Sequence, residues 1–176
     1  MYSEKIARIE EAVRTVPDFP KAGIQFKDIT PVLAQPALFR DTIEAMVELV
    51  RPYAADKVAC LDARGFIFGA AIAEKLGLGF VPIRKVGKLP YESLAVSYEL
   101  EYGENTLEMH VDAVAPGERV VIIDDLLATG GTARAAQQLL TQAGAAPLAL
   151  VCMIELGFLA GRNTLDGLPV EALITY

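Results

Sequence analysis

The stretch Val120-Val121-Ile122-Ile123-Asp124-Asp125-Leu126-Leu127-Ala128-Thr129-Gly130-Gly131-Thr132 decides the fold class. Its four β-branched residues suit a central strand. From Ala133 to Leu140 apolar residues recur at helical spacing, with a stop at Gly144. Two carboxylates and a run of small residues lie between strand and helix. A strand feeding a helix through a short loop is the building unit of an α/β sheet, and such sheets bind ligands at the carboxyl ends of their strands.

Each part of this loop has a chemical reading. Ala128, Thr129, Gly130, Gly131 and Thr132 can turn backbone N–H groups toward one phosphate, because glycine adds no side chain and tolerates unusual dihedrals. The helix start that follows adds positive partial charge and unpaired donors. Asp124 and Asp125, which only accept hydrogen bonds when ionised, repel that phosphate but suit the vicinal hydroxyls of a ribose. Phosphate at one end and diol at the other describe a ribose 5-phosphate. No lysine stands where a Walker loop needs one.

The chain has 176 residues, enough for one domain that buries close to ~70% of the surface its unfolded chain exposes. Hydrophobic residues at 53% and charged residues at 22% fit a soluble α/β protein. No apolar run approaches the ~20 residues of a membrane span, and the charged start, Met1 to Arg14, is no signal peptide. A net charge of −7 argues against a general nucleic-acid surface. Cys60 and Cys152 lie in apolar runs without metal-ligand spacing, so they read as reduced core residues of a cytoplasmic protein. His110, the single histidine, falls on the polar face of an alternating strand and reads as solvated.

Along the chain, Ile6, Ile9, Val13 and Val16 form one helical stripe ended by Pro17 and Pro20. A second helix runs from near Pro36 to Arg51. Lys57 to Leu61 reads as a buried strand, Phe66 to Leu76 as a helix closed by Gly77, and Gly79 to Ile83 as another strand. Tyr91 to Val111 alternates patchily around Gly103-Glu104-Asn105, as a hairpin projecting from the sheet does. Leu148 to Ile154 and Val170 to Tyr176 supply the last strands. The order predicts a mostly parallel central sheet flanked by helices. Substrate choice is expected in the N-terminal segment and the hairpin, the parts outside that repeat.

Leu61-Asp62-Ala63-Arg64-Gly65-Phe66 repeats the first loop's logic and adds an arginine. A pyrophosphate needs such a second site, since its charge must be held as its bond to ribose breaks. Arg84-Lys85-Val86-Gly87-Lys88-Leu89-Pro90 brings three more cations. Two basic loops beside an acidic ribose clamp stand out in an acidic protein.

The thirteen-residue loop resembles the phosphoribosyl pyrophosphate (PRPP) signature of type I phosphoribosyltransferases. Together with Asp18-Phe19-Pro20-Lys21-Ala22-Gly23-Ile24-Gln25-Phe26-Lys27-Asp28-Ile29-Thr30, Ala63-Arg64-Gly65-Phe66, the Arg84 to Pro90 segment, Tyr98-Glu99-Leu100-Glu101-Tyr102-Gly103 and Leu107-Glu108, it looks like the adenine phosphoribosyltransferase family over nearly the whole chain. The resemblance implies the type I phosphoribosyltransferase fold in a single domain, residues 1–176, with a hood and base-binding segment at 1–35 and a flexible catalytic hairpin at 85–111. It implies transfer of the 5-phosphoribosyl group from PRPP to adenine, giving AMP and diphosphate in purine salvage, in a cytoplasmic homodimer. Mg²⁺ would be held mainly by substrate oxygens, with no direct protein ligand.

By the same resemblance, Asp124, Asp125 and Ala128 to Thr132 bind PRPP. Ala63, Arg64, Gly65, Arg84 and Lys88 bind its pyrophosphate, with Arg84 reaching across the dimer interface. Gln25, Phe26, Lys27 and Leu156 bind adenine, Phe26 and Leu156 against its two faces. Backbone at Gln25 and Lys27 would read the exocyclic amine, which a carbonyl can accept from while a 6-oxo group offers it no donor. Glu101 would handle the N7 proton. A cis peptide is expected between Asp62 and Ala63, as related enzymes commonly have one there. Ala22 stands where the family often has proline, and Lys27 where many members have arginine, so a bidentate role for that side chain is not carried over.

Two rivals remain at this stage. A regulatory protein sensing PRPP on the same fold should carry a basic face or an added DNA-binding domain; neither is visible in the sequence. A phosphoribosyltransferase for another base is opposed by the Phe26 segment and the Glu101 hairpin.

Overall fold

The computed structural model describes residues 2–99, 104–165 and 167–176. The chain divides into two compact units, Met1–Ala45 and Met46–Tyr176. The first begins with α1 (Tyr2–Ala12), followed by the antiparallel pair β1 (Arg14–Pro17) and β2 (Gln25–Asp28), a short α2 (Thr30–Leu33) and the start of α3 (Pro36–Val50), which crosses the division. The Ile6, Ile9, Val13, Val16 stripe does not stay in one helix. The helix ends at Ala12, and Val16 lies on β1 opposite Phe26, where the β-branched pair Thr15-Val16 is better suited. Lys5 and Arg8 of α1 pair with Asp41, and Lys5 also with Glu44.

In the second unit the strands are β3 (Lys57–Leu61), β4 (Gly79–Lys85), β5 (Ser93–Glu99), β6 (Glu104–His110), β7 (Arg119–Leu127), β8 (Ala146–Glu155) and β9 (Val170–Thr175). Among the described residues they form one sheet in the order β5-β6-β4-β3-β7-β8-β9. The run from β4 to β9 is parallel and the β5–β6 hairpin antiparallel. This is the mixed, mostly parallel α/β sheet expected.

Successive strand residues face opposite sides, and two helices use the two sides. Ala59, Leu61, Val81, Ile83, Val120 and Ile122 join Ala135, Ala136, Leu139 and Leu140 of α5 (Gly131–Gln142) in one buried cluster. The alternate residues Cys60 and Phe80 lie against Gly69 of α4 (Arg64–Leu76). A Cβ on Gly69 would fall 2.0 Å from the Cys60 sulfur, so glycine sets how closely α4 approaches the sheet. Cys60 and Cys152 are free and buried, and burial pushes both thiols well above their usual range.

The hairpin does not stand clear of the sheet as expected. Its root pairs with β4, Arg84 opposite Glu108 and Lys85 opposite Leu107. Val96, Leu107 and Met109 enter the α5-side cluster, so the hairpin's apolar face draws it into the layer. His110 also departs from its solvated reading. The Ser93–His110 register brings Tyr91 edge-on to its ring, with centroids 6.0 Å apart, and Nε2 is buried without a hydrogen-bond partner among the described residues.

Candidate active site

Strand order places the site. From β3 the chain crosses over α4 to β4 on one side, and from β7 it crosses over α5 to β8 on the other. The neighbouring strands β3 and β7 therefore flank a topological switch point, where loops diverge and leave a crevice at the carboxyl ends. Both helices that start there, α4 and α5, lack a side-chain N-cap hydrogen bond. At α4 the Phe66 N–H turns back to the Ala63 carbonyl at 3.3 Å, and a helix start without a side-chain cap favours an anion.

The loop after β7 is built by mutual contact with the 157–164 segment. Gly130 takes φ +86°, and a Cβ there would meet the Thr164 hydroxyl oxygen at 2.0 Å and the Gly161 carbonyl oxygen at 2.5 Å. A Cβ on Gly161 would in turn fall 2.2 Å from the Ala128 carbonyl oxygen. The Thr164 hydroxyl lies 2.8 Å from the Gly161 carbonyl oxygen and 3.3 Å from that of Thr129. The segment is anchored by Arg162, whose Nε and Nη2 donate to the buried Glu155 carboxylate at 2.5 and 2.6 Å. The loop encloses a cavity of about 80 Å³, well under the ~300 Å³ at which whole-ligand sites begin. It is sized for one group of a larger molecule.

Strand β7 runs through both carboxylates, so they sit at the strand's end and not in the loop after it. This makes them inequivalent. Asp125 is buried and pairs with Arg64 Nε at 2.5 Å. Asp124 Oδ1 turns back to accept the Asp125 N–H at 2.8 Å. Burial first, and then the neighbouring Asp125 charge, push the Asp124 carboxyl well above the usual carboxylate range. Gly65 permits this closeness, since a Cβ on it would lie 2.7 Å from the Ile123 carbonyl oxygen and 3.2 Å from Asp124 Oδ1.

The second loop begins at Asp62–Ala63, and the peptide between them is cis, as expected. Arg84 donates through Nε to Asp62 Oδ2 at 2.9 Å and through Nη1 to the Lys88 carbonyl at 3.1 Å, and its guanidinium lies 5.9 Å from the Phe66 ring centroid. The α5 end of the crevice is tied to the hairpin by Tyr98, whose hydroxyl lies 3.1 Å from that of Thr132.

Against this geometry, the phosphoribosyl transferase domain model matches residues 28–164. The adenine phosphoribosyltransferase of Thermobifida fusca is 54% identical over 95% of each chain. The chain belongs to the adenine phosphoribosyltransferase family. Among solved structures of that family, the Thermoanaerobacter pseudethanolicus enzyme superposes with a TM-score of 0.95 at 49% identity, covering 97% of this chain and 99% of that one. The Saccharomyces cerevisiae adenine phosphoribosyltransferase, complexed with an imino-altritol bisphosphate and adenine, gives 0.92 at 39% identity with the same coverage.

In this adenine phosphoribosyltransferase family member, Ala63, Arg64, Gly65, Arg84, Lys88, Asp124, Asp125, Ala128 to Thr132 and Leu156 all fall at the carboxyl end of the parallel sheet. Leu156 is half-buried directly after β8, its N–H on the Leu127 carbonyl. Gln25, Phe26 and Lys27 lie in the first unit on β2. There Phe26 meets Phe19 edge-on at 5.1 Å, and Lys27 Nζ donates to the Thr15 hydroxyl at 3.1 Å. Glu101 lies outside the described residues. Sequence reasoning passed over Gly161, Arg162, Thr164 and Glu155, which support the loop from a segment about thirty residues downstream. Only the Gly and Arg in an otherwise plain turn hinted at them.

Proposed function

We propose that the chain transfers the 5-phosphoribosyl group of PRPP to adenine, giving AMP and diphosphate in purine salvage. One observation carries the reading: two uncapped helix starts flank one crevice, each behind its own loop, with Asp124, Asp125 and Arg64 between them. One phosphate site would hold the 5-phosphate on Ala128 to Thr132, the other the diphosphate on Ala63 to Gly65 with Arg84 and Lys88. In the reaction the bond from the anomeric carbon to diphosphate breaks while adenine N9 bonds to that carbon. Positive charge gathers on the sugar and negative charge on the leaving group. Asp124 and Asp125 face the first and Arg64 and the helix starts the second, which is preorganised electrostatic stabilisation. Glu101 takes the adenine proton, and Phe26, Gln25 and Lys27 on the 1–35 hood segment read the base, with Leu156 as a further base contact.

When bound with PRPP, Mg²⁺ would supply charge neutralisation at the diphosphate. Among the described residues no three His, Cys, Asp or Glu side chains gather into a metal cage. Mg²⁺ usually keeps waters and binds substrate phosphate oxygens, so it would be held mainly by the substrate's own oxygens. Ile67 on α4, Phe80 on β4 and Val86 just after β4 are exposed apolar residues, which supports a homodimer contact on these elements. Light scattering tests the dimer, and mixing an Arg84→Ala subunit with an Asp125→Ala subunit tests whether Arg84 serves the partner's site, by regained activity in the heterodimer. Among the described residues no helix is long and apolar enough to cross a membrane; the buried free thiols fit the cytoplasm.

The deciding assay offers PRPP and Mg²⁺ with adenine, hypoxanthine, guanine and orotate in turn. AMP formed from adenine in preference to the other bases is expected. Absence of AMP, or equal turnover of hypoxanthine, would overturn the reading.

A further inference from the structure

Glu108 is a buried carboxylate that the reaction as described does not use. It is 5% exposed, and its partners are not cations. Oε1 accepts the backbone N–H groups of Lys88 and Leu89, each at 3.0 Å, and Oε2 lies 3.2 Å from the Ser93 hydroxyl. Burial alone would raise this carboxyl. The N–H groups of Leu89, Lys88 and Gly87, with the Ser93 hydroxyl, outweigh that and hold it below the usual range. A buried charge is a costly way to fill space, since an apolar residue of like volume is often at least as stable. What it secures is the shape of one loop.

That loop leads to the diphosphate side of the crevice. Glu108 fixes the Lys88 N–H, the Lys88 carbonyl accepts Arg84 Nη1, and Arg84 Nε holds Asp62 at the head of the Ala63 to Gly65 turn. The β4–β6 pairing that sets Arg84 opposite Glu108 is short and sits at the same place. Three segments distant in sequence are thus tied through one carboxylate. We propose that Glu108 is a positioning residue for the diphosphate: by clamping residues 87–89 it sets where Lys88 and Arg84 present their charge. The proposal rests on the phosphoribosyl-transfer reading above. It matters because a loop left unanchored must be ordered at the moment of binding, which weakens binding.

The test uses the full chain and three variants, Glu108→Ala, Glu108→Gln and Lys88→Ala, with the double variant Lys88→Ala/Glu108→Ala. Calorimetry reads the affinity for Mg²⁺-diphosphate, kinetics read KM for PRPP and for adenine, and thermal melts read stability. Glu108→Ala should weaken diphosphate and raise KM for PRPP on the order of tenfold, as loss of charged hydrogen bonds implies, while KM for adenine holds. Glu108→Gln keeps an oxygen for both N–H groups and should restore most of the affinity whatever its melting temperature. The double variant should lose less than the sum of the two single losses, because the Lys88 share of the Glu108 effect is already gone while the Arg84 share remains. Equal rises in both KM values, full additivity, or unaltered diphosphate affinity in folded Glu108→Ala would overturn the positioning role. Wild-type protein that fails to bind Mg²⁺-diphosphate would instead remove the diphosphate site itself, and Lys88→Ala that binds it normally would remove Lys88 from that site; either result takes the Glu108 role with it.

Discussion

Replacing Gly161 by alanine should cripple PRPP use although Gly161 touches no substrate in this reading. The added Cβ would stand 2.2 Å from the Ala128 carbonyl oxygen, 3.1 Å from its carbon and 3.2 Å from the Gly130 nitrogen, against ordinary contacts of 3.4 Å and more. All three neighbours are backbone, so no side chain can swing away. The turn that carries Gly161 is held by the Arg162–Glu155 ion pair and by Thr164, and the phosphate loop is the part free to yield. Relief of the clash needs roughly 1 Å of movement, and misplacement of that size costs on the order of 100-fold in rate, or about 2.7 kcal/mol. The assay is kcat/KM for PRPP beside KM for adenine, with a thermal melt to establish folding. Gly117→Ala is the control: its φ of +81° strains an alanine, but its Cβ would meet nothing within 4 Å. It should lower the melting temperature and leave PRPP kinetics alone. A folded Gly161→Ala protein whose kcat/KM for PRPP stays within about threefold of wild type would refute the loop-support argument.

Asp125→Asn removes both the Arg64 pair and the charge beside the ribose, and should lower kcat/KM roughly tenfold to 100-fold; unchanged kinetics would sink the clamp. Asp124→Asn should also lose activity yet gain stability, because Asp124's carboxyl is held above its ordinary range. A raised carboxyl destabilises the fold once pH passes its unfolded value, so the gain should be present at neutral pH and vanish in acid below that value. Melts of both proteins from neutral pH to about pH 3 check the sign. Phe26→Ala should raise KM for adenine more than KM for PRPP; a change in the PRPP term alone would return Phe26 to a packing role.

The turn from β7 into α5 was legible because one local stretch holds it. Val120 to Ile123, the paired aspartates and Gly130-Gly131 lie within thirteen residues, and strand, turn and helix start are short-range events. The same holds for the Asp62 to Gly65 turn and for the helices around Pro36 and Phe66, whereas the cis bond was expected from the family resemblance. Readings that needed a distant partner did less well. Val16 lost its helix to a pairing with Phe26, the hairpin joined the sheet through Arg84 and Lys85, and His110 met Tyr91.

By itself the sequence determined the alternating α/β order and the loops after β3 and β7, which follow from periodicity and from groups adjacent in the chain, and it carries the motifs on which the family resemblance rests. Only the tertiary structure decided that Asp124 and Asp125 differ, that Gly161 and Thr164 brace the phosphate loop, and that Glu108, Lys88, Arg84 and Asp62 form one connected line. The physical reason is that hydrogen bonds and steric limits act over a few ångströms of space. Arg64 and Asp125, 61 positions apart, are brought within that range only when parallel strands fix which loop lies beside which.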